Sequence, residues 1–159
     1  MTPREIADHI EIGQVIQRYG RALDTADYEL LRTVFAPDAT LRYEMEGRGT
    51  EGNLEKWMEL WRTFLVPFFW TSHQFSPPLI ELDGDRARAS CRLIASHVQI
   101  RLDDSRNLWT VYGDYEDQLA RLEEGWRIQQ RLFHGVHTEG ELLPADAVKS
   151  LRERPPAPA

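Results

Sequence analysis

Two histidines, a helix-terminal aspartate and two tyrosines are the side chains here whose types suit acid–base chemistry. Asp24 falls where an apolar-periodic helix runs out and Thr25-Ala26-Asp27 opens a turn, while His73 lies within Trp70-Thr71-Ser72-His73-Gln74-Phe75, a polar insertion among aromatic residues. A carboxylate beside a neutral imidazole fixes its tautomer, stabilises the imidazolium that forms and raises its basicity toward working pH, which makes a general base. Spacing alone does not join the two: Asp24 can equally be a helix-boundary carboxylate, and His73 a core histidine. His97 carries more information. In the run 86–101 the odd positions Ala87, Ala89, Cys91, Leu93 and Ala95 form a small apolar side, and His97 continues that parity into the concavity, where small neighbours leave room for a ligand. Tyr19 and Tyr43 lie on the inward sides of their own elements, where a phenol can polarise a carbonyl or protonate a leaving oxygen, or simply pack with one hydrogen bond.

Other chemistries are disfavoured by their spacing. His134-Gly135-Val136-His137 lacks a third ligand and a helical frame, so no metal is expected. The glycines fall at turns and form no phosphate-cradling loop, so no nucleotide cofactor is expected either. Ser72 and His73 are neighbours on an extended segment, point apart, and cannot act as nucleophile and base.

The elements that must position these residues follow from local pattern. Thr2-Pro3-Arg4-Glu5 is a capping box with proline at the first helical position, and Ile6, Ile10, Ile16, Tyr19 and Leu23 supply an apolar stripe for a helix ending near Asp24. A second helix over 28–35, stopped by Pro37, precedes a strand in which Ala39, Leu41, Tyr43 and Met45 face inward. Gly47, Gly49 and Gly52 mark a turn-rich link, and Asn53 caps a third helix with Leu54, Trp57, Trp61 and Leu65 on one face. From Ser72 onward strands are expected near 80–82, at 86–101, at 108–122 and from Trp126, with turns at Asp83-Gly84 and Glu124-Gly125, in an antiparallel meander. Helices first and a paired sheet afterwards describe an α+β domain whose helices close one side of a curved sheet. The domain is expected to span 1–142, with 143–159 an extension whose proline-rich end, 152–159, is mobile.

The 159 residues carry 26 acidic against 19 basic side chains, a formal charge of −7, which disfavours a nucleic-acid partner. Arg86, Arg88 and Arg92 have the alternate spacing of a solvated strand face. Cys91 is the only cysteine, and neither a signal segment nor a bilayer-length apolar run is evident, so a cytoplasmic protein with no membrane partner is expected.

The stretch Ile16-Gln17-Arg18-Tyr19-Gly20-Arg21-Ala22-Leu23-Asp24, then Asp27, then Phe35-Ala36-Pro37-Asp38-Ala39, resembles the opening of SnoaL-like proteins of the nuclear transport factor 2-like superfamily. The resemblance covers residues 5–134. It continues through a histidine after the third helix, an Asp-Gly turn, a long strand, and Tyr115-x-Asp117 ahead of Gly125-Trp126-Arg127-Ile128. It implies a cone-shaped curved sheet closed by N-terminal helices. Within that superfamily the sequence is similar to scytalone dehydratase, bile-acid 7α-dehydratase and hexachlorocyclohexane dehydrochlorinase types. The similarity assigns the base to His73, its orienting carboxylate to Asp24, and assistance to Tyr19, Tyr43 or His97. Leu23 and the stretch Asp114–Glu116 depart from the scytalone dehydratase pattern, which leaves the substrate open. The expectation is a cofactor-independent lyase, a dehydratase, acting on a small hydrophobic cyclic substrate of polyketide, steroid or aromatic type, in a pocket lined by Trp70, Phe75, Leu93 and Trp109. An isomerase or cyclase using the same base, and a non-catalytic small subunit of the ring-hydroxylating dioxygenase kind, are the alternatives. The resemblance also implies a homo-oligomer, a trimer before a dimer.

Overall fold

The computed structural model describes residues 1–149; the expected mobile end at 152–159 lies outside the described residues. Three helices precede and interrupt the sheet: α1 (Pro3–Thr25), α2 (Tyr28–Arg32) and α3 (Leu54–Phe64). The strands are β1 (Phe35–Met45), β2 (Arg48–Asn53), β3 (Trp70–Phe75), β4 (Leu79–Asp83), β5 (Arg86–Ile100), β6 (Arg106–Leu122) and β7 (Gly125–Gly140). They form one sheet in the order β2-β1-β7-β6-β5-β3, with β4 also paired to β5. β3 and β4 share one edge of β5 end to end, separated by Ser76-Pro77-Pro78. The architecture is the α+β one, with the helices on the inner face of a curved, unclosed sheet.

Helix α1 starts on its capping box, with Glu5 N–H donating to Thr2 Oγ1 and Thr2 N–H to Glu5 Oε2. Its packed face is Asp8, Ile12, Ile16, Tyr19 and Leu23. Ile6 and Ile10, expected on that stripe, are instead 46% and 58% exposed. Each stands two residues from Asp8, and positions two apart lie on opposite sides of a helix. Asp8 is buried because Arg121 and Trp126 Nε1 donate to its carboxylate, which fixes the rotation of the first turns.

Helix α2 stops at Arg32 and not near Pro37, because Phe35 already belongs to β1 and Val34 C=O accepts from Ile128 N–H of β7. Pro37 lies inside β1, between Phe35 and Thr40, where the register shifts. β1 then buries Ala39 and Leu41 and half-buries Tyr43, as alternation requires. The glycine-rich link is itself a strand, β2, antiparallel to β1. Asn53 caps α3 by accepting from Lys56 N–H, and the helix buries Leu54, Trp57 and Trp61, with Trp57 Nε1–H donating to Leu41 C=O at 2.9 Å.

Two departures from a simple meander bend the sheet around the core. β1 runs parallel to β7, so the first and last strands of the chain are neighbours. Between β6 and β7 the register shifts twice, between Tyr112 and Gly113 and between Gln118 and Leu119, and each such irregularity adds curvature. The C-terminal segment is docked at least to Lys149: Leu143 and Val148 are buried, and Arg101 bridges Val148.

Candidate active site

The last turn of α1 presents Asp24 to the inner side of β3. Its Oδ1 accepts from Thr71 Oγ1 at 2.9 Å and lies 2.7 Å from His73 Nδ1, while Oδ2 accepts from the His73 backbone N–H at 3.0 Å. The carboxylate therefore grips both the backbone and the ring of the same residue. Since an ionised carboxylate can only accept, the proton of the neutral imidazole is assigned to Nδ1, which leaves the lone pair on Nε2. Gly20 makes this approach feasible: a Cβ there would sit 2.6 Å from the Phe75 ring and 3.2 Å from His73 Cβ, so a larger residue pushes β3 away from the helix.

Strand pairing brings the second histidine in. His97 on β5 stands opposite Thr71, its ring is 5.7 Å from that of His73, and it is 3% exposed. Phe68 and Trp109 lie 4.9 Å from it, centroid to centroid, and Phe64 at 6.1 Å. Its Nδ1 is buried with no hydrogen-bond partner among the described residues. Burial, reinforced by His73, pulls its pKa from 6.5 to about 4, so His97 is a neutral donor–acceptor at physiological pH. Between these two values the unfolded chain binds the proton and the folded chain does not, so stability is full above pH 6.5 and falls as the pH drops toward 4. At one unit per 1.36 kcal/mol the loss is about 3 kcal/mol. Chemical denaturation of wild type and His97→Gln across that range should show a markedly flatter acid limb in the variant. Equal slopes would count against a neutral buried His97.

The opposite wall is phenolic. Tyr19 Oη lies 2.7 Å from Tyr43 Oη and 3.2 Å from Tyr115 Oη, so three hydroxyls form a chain. Desolvation raises the pKa of all three, most strongly at Tyr43 and Tyr115, and they are protonated donors at neutral pH. Behind them Arg131 lies 4.1 Å from the Tyr19 ring and 4.2 Å from the Tyr115 ring, and donates to Asp117 through two 2.7 Å bonds. Burial opposes the guanidinium charge, but Asp117 outweighs it and holds the pKa well above the ordinary value.

The structure thus brings together Asp24, His73, His97, Tyr19 and Tyr43. Phe75 packs against Tyr19 and Tyr115, and Leu93 and Trp109 lie on the inner parity of β5 and β6. Trp70 does not join them. The polar insertion among aromatic residues is β3, and its alternation sends Thr71, His73 and Phe75 inward and Trp70 outward, 48% exposed, beside Val98 and in the row of Leu108.

Gly20, Thr71, Tyr115, Asp117 and Arg131 were not among the expected site residues. Tyr115 and Asp117 share the parity of Trp109 and were reachable by alternation. Arg131 was not, because the bulge opposite Gln118 and Leu119 shifts the inward positions of β7 from Trp126 and Ile128 to Arg131 and Phe133. Cys91 is buried on the inner face and its thiol is pushed up to about 11 by burial. It should resist iodoacetamide in the native protein at mildly alkaline pH and react fully on unfolding; rapid native labelling would contradict its placement. Among the described residues no three His, Cys, Asp or Glu side chains are grouped to hold a metal ion.

Two cavities among the described residues are lined by neither Asp24 nor His73. One of about 760 Å³ lies on the outer sheet face among residues of mixed charge, including Arg42, Arg88, Glu81 and Glu116. The other, about 710 Å³, lies between residues 62–68 and 142–148.

The SnoaL-like domain model matches residues 4–132, and the chain belongs to that family, whose fold is the nuclear transport factor 2-like one. An uncharacterised protein of Mycobacterium tuberculosis is 30% identical over 128 residues, which is 80% of this chain and 85% of the relative. Among solved structures, a Novosphingobium aromaticivorans protein provisionally assigned as a scytalone dehydratase superposes with a TM-score of 0.77 at 19% identity, covering 96% of this chain and 99% of that one. A type 2 hexachlorocyclohexane dehydrochlorinase gives 0.71 at 14% identity, covering 87% and 91%. At such identities the structural likeness speaks for the fold. No helix among the described residues is long and apolar enough to cross a membrane.

Proposed function

We propose that this protein is a cofactor-independent lyase that eliminates water from a small hydrophobic cyclic substrate, with His73 as general base. The observation that carries the reading is the grip of one carboxylate, Asp24, on both the Nδ1 and the backbone N–H of His73, which orients Nε2 as the only basic nitrogen of that ring. In the reaction, His73 Nε2 takes a proton from the carbon next to a carbonyl. The C–H electron pair becomes the new carbon–carbon double bond through an enolate whose oxygen accepts from the Tyr19 and Tyr43 hydroxyls. The C–O bond to the β-hydroxyl then breaks, and the His73 imidazolium returns the proton to the departing oxygen, so water leaves and the enzyme is regenerated. His97, neutral in its aromatic surroundings, offers the carbonyl or hydroxyl a further hydrogen bond. The dehydratase and dehydrochlorinase names among the structural neighbours favour elimination over a purely binding role.

The test is a panel of cyclic β-hydroxyketones incubated with the protein in deuterium oxide and followed by mass spectrometry. Loss of water with wild type and not with His73→Ala is expected. A deuterated product of otherwise unchanged mass would assign isomerase or cyclase chemistry to the same base, and absence of both would leave the non-catalytic subunit reading. We propose further that the protein is a cytoplasmic homo-oligomer, a trimer, joined through the outer sheet face, where Trp70, Ile94 and Leu108 expose apolar surface. Sedimentation as a monomer at micromolar concentration would overturn that assembly.

A further inference from the structure

Asp24, His73 and His97 line neither of the two cavities described above, yet one of these cavities reaches them through shared aromatic rings. The cleft of about 710 Å³ is walled on one side by Phe64, Val66 and Phe68 and on the other by Leu142, Leu143 and Val148. Phe64 and Phe68 also form the surroundings of His97, at 6.1 and 4.9 Å, and both contact Trp109, with Phe68 stacked against it at 6.4 Å. From the cleft to the base there are therefore only two ring contacts, Phe68 to His97 and His97 to His73.

The C-terminal wall is fixed by two buried amides. Gln99 donates to Leu143 C=O at 3.0 Å and accepts from Leu143 N–H at 2.9 Å, and Asn107 donates to Glu141 C=O at 2.7 Å. Lys149 N–H continues the attachment by donating to Ile100 C=O at 2.8 Å. A segment held this way forms a standing groove, within the size range of sites for drug-sized molecules. The groove is apolar and open to water: Phe64, Val66 and Leu142 are each about two-fifths exposed. Among the described residues lining it, Arg62 alone is charged, and its guanidinium is engaged 4.3 Å over the Tyr28 ring. Nothing in the lining selects for charge in a ligand.

We propose that this cleft holds the hydrocarbon part of the substrate while its carbonyl-bearing ring passes Phe68 to reach His97 and His73. The substrate class is then an elongated amphipathic ketone or hydroxyketone, with an uncharged apolar tail or fused rings beyond the reacting ring. This rests on His73 being the base of the reaction proposed above.

The experiment uses the full chain and two probes, cyclohexanone and its para-octyl derivative. Affinity is measured by isothermal titration calorimetry, and contact with the base is followed by the His73 imidazole signals in nuclear magnetic resonance. Burial of the alkyl chain predicts that the octyl ketone binds at least about tenfold tighter than cyclohexanone. That ratio should fall to near one in Val66→Lys, which puts a charge at the exposed rim, and in Ala145→Trp, which fills the groove; both positions are exposed, so the fold tolerates the changes. A ratio near one in wild type, or one preserved in both variants, overturns the cleft assignment even if cyclohexanone moves the His73 signals. If the octyl ketone binds in the cleft but neither probe moves His73, the cleft is severed from the base, and the reading of His73 fails separately.

Discussion

An Arg131→Met protein is expected to lose about 3–5 kcal/mol of stability, the cost of leaving one buried charge without its partner. The Arg131 and Asp117 side chains are 0% and 1% exposed and are joined by two 2.7 Å hydrogen bonds, so neither can reach water when the other is removed. Asp117→Leu should cost a similar amount, because the guanidinium would remain between the Tyr19 and Tyr115 rings with no carboxylate to balance it. The double variant Arg131→Met/Asp117→Leu should be less destabilised than either single one, since two apolar side chains in an apolar site leave no charge behind. Urea denaturation of all four proteins supplies the cycle. Single variants within about 1 kcal/mol of wild type, or a double variant as poor as the sum, would show that the pair is not the buried electrostatic unit described.

On the proposed elimination mechanism, His73→Ala should lower turnover by roughly a hundred- to ten-thousand-fold, the usual contribution of a positioned general base, while substrate affinity changes little. Asp24→Asn tests the orienting role. An asparagine keeps the size and can still accept from the His73 backbone N–H, but its NH₂ then donates to Nδ1, which moves the ring proton to Nε2 and removes the basic nitrogen from the substrate side. Turnover should fall toward the His73→Ala level through the wrong tautomer, with stability close to that of wild type. Asp24→Ala removes the acceptor of three hydrogen bonds and should be the less stable of the two variants. The measurement is single-turnover kinetics beside a melting curve for each protein. An Asp24→Asn enzyme as fast as wild type would make the aspartate an anchor for β3 and nothing more.

Much of the fold was legible locally. The capping box, the Asn53 cap, the tryptophan face of α3, and the strict alternation of β5 each depend on residues within a few positions of one another, and all recur in the structure. Reading failed where distant contacts overrode local pattern. Pro37 looks like a helix stop, but β7 draws the chain into a strand before it. Trp70 looks like a pocket residue until the pairing of β3 with β5 fixes its parity.

The sequence by itself determined the chemical inventory: an aspartate at a helix end, histidines at 73 and 97, inward tyrosines, and small residues along the inner side of β5. It also determined α1, α3 and the long strands β5 to β7, because capping and alternation are short-range properties of the chain, while β2 and β3 emerged only from pairing. Only the tertiary structure decided which of these groups meet. Asp24 and His73 are 49 residues apart and touch because Gly20 lets β3 close on α1. Arg131 enters the site because a bulge reverses the parity of β7, and the apolar cleft exists because Gln99 and Asn107 pin the C-terminal segment beside α3. Close approach, register and docking are set by the packing of elements far apart in the chain, and no local pattern of residue types encodes them.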